Sequence, residues 1–165
     1  MDIPVRKPNR IAAYDYSQNG AYFVTICTQD RKPILSKIVG NDAIIVTKPF
    51  GKIVEKYIRN VPEITKYVIM PDHIHLLVHL DNGSMWASTP TIIPVGADAH
   101  IRPKARSISS IVRSIKILAT KEIGHSIFQR SYYDHVIRNQ QDYDEIWQYI
   151  ENNPLKWALE KQGSL

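Results

Sequence analysis

The stretch Lys66-Tyr67-Val68-Ile69-Met70-Pro71-Asp72-His73-Ile74-His75-Leu76-Leu77-Val78-His79-Leu80 decides how this chain folds. Two apolar, β-forming runs flank Pro71-Asp72, a pair that suits the turn of an antiparallel hairpin. In the second run, strand alternation puts His73, His75, Leu77 and His79 on one side and Ile74, Leu76, Val78 and Leu80 on the other. The aliphatic set is a natural core face, to lie under helices. The histidines then point to the opposite face, with ring nitrogens close enough to share one ion.

Upstream of the hairpin, Ala21 to Thr28 is aromatic and β-branched and reads as a strand, turned by Gln29-Asp30-Arg31-Lys32-Pro33. Ile34 to Val46 is ambiguous between short strands and the start of a helix. Within Phe50 to Val61, Ile53, Val54, Tyr57, Ile58 and Val61 recur at helical spacing, and Pro62 stops the pattern. Downstream, residues 81–106 form a loop of unusual length for a compact domain. Ser107 to Ile123 is helical, with an apolar stripe through Ile108, Ile111, Val112, Ile115, Leu118 and Ala119 and with Gly124 at its end. Phe128 to Ile137 reads as a strand. Asn139 caps a last helix, residues 139–154, which Pro154 is expected to end; Leu155 to Leu165 adds a short helix. Residues 1–20 lack periodicity and read as a leader with Tyr14 and Tyr16 as anchors.

Strand, helix, two strands, helix, strand is the split βαβ of a ferredoxin-like α+β fold: a four-stranded antiparallel sheet with helices on one face, plus a C-terminal helix. The sheet's other face is left open and needs an occupant. One domain over residues 1–165 is expected, since 165 residues can bury a core without staples. The single cysteine, Cys27, excludes an intramolecular disulfide framework and a cysteine-based zinc site. No apolar run approaches the ~20 residues of a membrane span. The first residues are not those of a signal peptide, so a soluble, cytoplasmic protein without a membrane partner is expected. A net charge of +5 is compatible with a polyanionic partner without requiring one.

A His-x-His pair on a half-exposed strand is weak evidence of a metal site by itself. The last helix adds to it. Tyr149 and Asn153 are four residues apart and therefore share a helical face, so one rigid element offers a phenol and an amide oxygen. For Tyr149 alone, a packing role at a helical position is the ordinary alternative.

Three ordered blocks go further. Met70-Pro71-Asp72-His73-Ile74-His75-Leu76-Leu77 resembles the His-hydrophobe-His strand of single-tyrosine HUH transposases of the insertion-sequence-200-like class. Phe128 to Asn139 and Tyr149 to Trp157 resemble the C-terminal half of their REP-associated branch. Tyr22 to Lys32 and Gly96-Ala97-Asp98 fit as well, so the resemblance runs from about residue 11 to 157. It implies His73 and His75 as ligands of a divalent Mg²⁺ or Mn²⁺ ion, Asn153 as a third ligand where many members carry glutamine, and Tyr149 as nucleophile. The family cuts and rejoins single-stranded, hairpin-containing DNA. A tyrosine attacks phosphorus, leaving a 5′-phosphotyrosine and a free 3′-OH. One tyrosine per chain implies a homodimer for exchange of two ends, and the site can be shared between subunits or self-contained.

Arg31, Lys32, Arg102, Lys104, Arg106, Arg130 and Arg138 are the candidates for gripping DNA phosphates, with Arg113 and Lys116 more simply read as a solvated helix face and Trp86 as a possible base-stacking group. Tyr132 and Tyr133 are rival nucleophiles that lack the amide partner; Asp134 and His135 recur in the REP-associated pattern without an assignable chemistry. Two other readings compete with the transposase: a DNA-binding protein that does not cut, and a phosphoesterase that uses the histidines and water.

Overall fold

The computed structural model describes residues 15, 17–81 and 106–162. The leader anchors Tyr14 and Tyr16, most of the loop at 81–106 with Trp86, and Arg102 and Lys104 lie outside the described residues. The elements are β1 (Gly20–Cys27), β2 (Ser36–Val39), β3 (Ile44–Thr47), α1 (Pro49–Arg59), β4 (Ile64–Ile69), β5 (His73–Leu80), α2 (Ile108–Ile123), β6 (Tyr133–Ile137) and α3 (Gln140–Gln162). β4, β5, β1 and β6 form one antiparallel sheet in that spatial order. This is the split βαβ arrangement. The ambiguous stretch at 34–46 resolves as the small β2–β3 hairpin, a separate two-stranded sheet.

Alternation settles which face does what. Tyr22, Val24 and Ile26 of β1 and Ile74, Leu76, Val78 and Leu80 of β5 are buried in one cluster with Val54 and Ile58 of α1 and Ile111, Val112 and Ile115 of α2. α2 begins in a capping box, with the Ser107 hydroxyl on the Ser110 amide, and ends on Gly124 at φ 93°, a conformation that glycine adopts without cost. Gly51 of α1 has a different reason to be glycine: a Cβ there would lie 2.0 Å from the Leu35 carbonyl oxygen. Leu35 in turn accepts from the Lys48 amide (2.8 Å) and donates to the Pro71 carbonyl (3.0 Å).

Three sequence expectations need correction. The strand expected from Phe128 begins only at Tyr133; Phe128 makes a lone bridge to Thr28. Between them the carbonyls of Gln129 and Ser131 accept from the Lys116 ammonium (2.8 and 2.9 Å) rather than from a neighbouring strand. Lys116 is thus a strap on this segment and not a solvated cation; burial brings its pKa down to about 8. The last helix does not stop at Pro154 but runs on to Gln162. An interior proline forfeits the bond to the Ile150 carbonyl and costs about 3 kcal/mol. The helix continues because Ile150 before it and Trp157 after it pack into the same cluster against Val68, Met70 and Leu77.

α3 is the occupant of the open face. Asn139 caps it, its side chain accepting from the Asp142 amide (2.8 Å). Tyr143, Ile146, Trp147 and Ile150 recur at helical spacing and face the sheet. No helix among the described residues is long and apolar enough to cross a membrane.

Candidate active site

Where α3 crosses the histidine end of β5, a pocket of about 320 Å³ opens. Thr25, Arg31, His73, His75, Tyr149 and Asn153 line it, with Lys156, Trp157 and Glu160 from the turns of α3 beyond Pro154. The two imidazoles come from adjacent outward positions of one strand, and the phenol and amide from adjacent turns of one helix. Each pair is rigid because its element is rigid.

The imidazoles are buried, His73 at 6% and His75 at 4% exposure, and each is held from behind. Nδ1 of His73 lies 2.6 Å from Oδ1 of Asp72, and Nδ1 of His75 lies 2.8 Å from the Thr25 hydroxyl. Asp72, itself buried, also receives Nε of Arg31 on Oδ2 (3.0 Å), and its carbonyl takes the Thr28 amide (2.9 Å). Arg31 reaches this position from a backbone with φ 54°, next to Asp30 at the same value. Two successive non-glycine residues in the left-handed region are costly and mark a position that the surroundings enforce. Its Nη1 also donates to Sγ of Cys27 (2.8 Å).

These supports leave both Nε2 atoms facing each other at 3.1 Å. Burial, which outweighs the pull of Asp72, lowers the pKa of His73; burial, then the charges of His73 and Arg31, pushes His75 down to about 3. Both rings are therefore neutral at pH 7. A carboxylate only accepts, so neutral His73 keeps its proton on Nδ1 and turns the Nε2 lone pair toward His75. That arrangement fits a metal ion. Nitrogens about 2.1 Å from a shared ion, at angles of 90–109°, stand roughly 3.0–3.4 Å apart. A carboxylate behind one ligating imidazole is the usual outer support of such a site. Among the described residues no group of three or more His, Cys, Asp or Glu converges. The remaining donors would be the Asn153 amide, water and substrate, which suits an ion that retains its waters and meets phosphate oxygens.

Tyr149 is 40% exposed. Its ring meets His75 edge-on with centroids 5.3 Å apart and Phe23 at 5.9 Å, while Phe23 stacks on His75 at 5.0 Å. Tyr149 lines the pocket of its own chain. Asn153, one turn on, is buried at 6%. The rival tyrosines stand elsewhere: Tyr132 is buried with its hydroxyl against Ser109 (2.9 Å), and Tyr133 lies on the edge strand. His135 bonds both carboxylate oxygens of Asp142 (3.0 and 2.9 Å), joining β6 to the first turn of α3.

Of the candidate DNA-binding residues among those described, Arg31 alone lines the pocket. Lys32 is exposed and 4.0 Å from Asp30. Arg106 pairs with Glu63 (3.3 Å) and borders the groove between α1 and α2, away from the histidines. Arg130 and Arg138 are exposed on either side of β6. Sequence reasoning missed Asp72 and Thr25 as supports, and Lys156 and Trp157 as walls. Alternation of β1 places Thr25 on the histidine face, and the i, i+4, i+8 spacing of Tyr149, Asn153 and Trp157 was readable once Pro154 was not taken as a stop.

No family model matches the chain. It is 28% identical over 145 residues to a putative REP-associated tyrosine transposase of Haemophilus influenzae, covering 86% of this chain and 74% of that one. It is 29% identical over 156 residues to a REP-associated tyrosine transposase of Escherichia coli, covering 90% and 74%. Its fold matches a solved REP-associated tyrosine transposase bound to a REP hairpin, with a TM-score of 0.57 and 25% identity over 89% of this chain and 73% of that one. Together with the split βαβ sheet and the tyrosine helix lying over its histidine face, these likenesses make the chain similar, over most of its length, to REP-associated tyrosine transposases.

Proposed function

We propose that the chain is a transposase-type strand transferase that cleaves and rejoins single-stranded, hairpin-containing DNA through a 5′-phosphotyrosine on Tyr149. The carrying observation is that Tyr149 lines the same pocket as the paired Nε2 atoms of His73 and His75. A solved relative bound to a REP hairpin supports hairpin DNA as the substrate class.

His73 and His75 would hold a divalent Mg²⁺ or Mn²⁺ ion, with Asn153 as a further oxygen donor. Such an ion neutralises charge on a non-bridging phosphate oxygen and orients the phosphodiester. A free phenol, with a pKa near 10, is a weak nucleophile at neutral pH, so positioning has to do most of the work. Tyr149 loses its proton, its oxygen bonds phosphorus, and the P–O3′ bond breaks; the departing 3′ oxygen takes up a proton. Bond energy stays in the tyrosyl phosphodiester, so a second 3′-OH can reverse the step with no added nucleotide. Arg31, Lys32, Arg130 and Arg138 are cations available to phosphates. Exchange of two ends calls for two such sites, hence a homodimer acting on cytoplasmic DNA.

The test incubates the protein with Mg²⁺ or Mn²⁺ and a labelled hairpin oligonucleotide bearing single-stranded flanks. A protein–DNA adduct that survives denaturation is expected, and Tyr149→Phe should abolish it. Cleaved product without an adduct, or an adduct formed by Tyr149→Phe, would overturn the reading; the former would favour the phosphoesterase.

A further inference from the structure

α3 is tied to β6 at its first turn by the His135–Asp142 contact and to β4 further along by Lys66, whose ammonium sits 3.7 Å from the Trp147 ring centroid and 2.7 Å from Glu151. On β6, Tyr133 and His135 of the histidine face are exposed. Register places its residues in rows across the sheet. One row runs His75, Thr25, Tyr133; the next runs Leu77, Phe23, His135. Strands are ~4.8 Å apart, so Tyr133 stands two strand spacings, about 10 Å, from His75. Tyr133 is 47% exposed, and the His135 side chain is 54% exposed although Asp142 fixes its ring.

We propose that Tyr133, with His135 and Phe23 beside it, is a base-stacking platform for the single-stranded nucleotides next to the phosphodiester attacked at Tyr149. This rests on the function proposed above. Three observations point to nucleic acid as the occupant. The aromatic surface is continuous with the pocket, since Phe23 stacks on His75 and meets Tyr149 edge-on. Exposed Arg130 and Arg138 flank β6 in the chain, so cations stand close to the strip in sequence. The chain as a whole carries +5. Flat aromatic groups between cations are what single strands require, because every base has a π-face and every linkage a charge. Tyr133 spends its ring on no core, unlike Tyr132 beside it, which is 6% exposed.

The test measures equilibrium affinity by fluorescence anisotropy in a Tyr149→Phe background, where no adduct forms. Two oligonucleotides are compared: a hairpin with a single-stranded flank carrying 2-aminopurine, and the same hairpin without the flank. Adding Tyr133→Ala should weaken the flanked hairpin by about 5- to 150-fold. It should also remove the quenching of 2-aminopurine and leave the flankless hairpin unaffected. Tyr133→Phe should keep the affinity, because the ring and not the hydroxyl is used. Equal affinity for Tyr133→Ala, or equal losses for Phe and Ala, would overturn the platform. So would a Tyr133→Ala protein whose DNA affinity is intact but whose oligomer, by light scattering, has dissociated; the strip would then belong to a second copy. Failure of the wild-type chain to form any adduct would instead sink the pocket chemistry itself.

Discussion

Under α1 and α2 the sheet presents Tyr22, Val24, Ile26, Ile74, Leu76 and Val78, all fully buried. Under α3 the residues that alternate with them are Phe23, Thr25, His73, His75 and Leu77, of which only Leu77 is both aliphatic and fully buried. The first set removes apolar area from water and stabilises the sheet. The second includes buried polar groups, which contribute to stability only as far as each finds a hydrogen-bond partner. His73 and His75 find theirs in Asp72 and Thr25. The difference teaches that one strand holds two separable jobs, and that the site is carried by a sheet whose stability comes from its other side.

The strongest way to break that contrast is to truncate each set in turn. Leu76→Ala should cost about 2–5 kcal/mol, read from the urea midpoint, and His75→Ala markedly less. Equal costs would mean that the histidine face is a core after all. Next in size is the support behind His73. Asp72→Asn, which removes the carboxylate from both Nδ1 and Arg31, should weaken Mn²⁺ binding about 10–100-fold, measured from the electron paramagnetic resonance of free Mn²⁺. Undiminished affinity would show that the carboxylate does not orient the ring.

Acid sharpens the contrast further. In the presence of a chelator, His75 keeps a folded pKa of about 3 while an unfolded imidazole titrates near 6.5. The unfolded state therefore takes up the proton first as pH falls, and stability is lost from about pH 6.5 downward. Between pH 7 and 5.5 the loss from one such group is about 1 kcal/mol. It should persist in Leu76→Ala and diminish in His75→Phe, as followed by urea titrations at the two pH values. The smallest effect belongs to the α3 tether: Lys66→Met, which loses Glu151 and the Trp147 face, should weaken docking by about 1 kcal/mol or less. Faster amide exchange in α3 with unchanged exchange in β1 and β5 is the expected pattern.

Much of this was legible because strand alternation is a short-range rule. The side assignments of His73 to Leu80 needed only the period of two, and Ser107 and Gly124 marked α2 at both ends. The β2–β3 hairpin was not legible, since Ile34 to Val46 is apolar without a decisive period. Pro154 misled for a physical reason: its local cost is real, but Ile150 and Trp157 repay it through contacts that no local reading can see. Lys116 misled in the same way, its three carbonyl partners coming from residues 129–131 of a distant segment. The tyrosine and histidines were identifiable as candidates by motif; Asp72, Thr25 and Arg31 acquire their supporting places only once β1 lies beside β5.

Gly51 extends the reach of the pocket to the far side of the molecule. The Leu35 carbonyl that a methyl group there would strike belongs to the residue whose amide hangs on Pro71, immediately before the Asp72–His73 step. Adding one carbon to α1 would therefore push, through a single loop, on the turn that aims the first imidazole. Mutational scans that score only residues lining the pocket would overlook it.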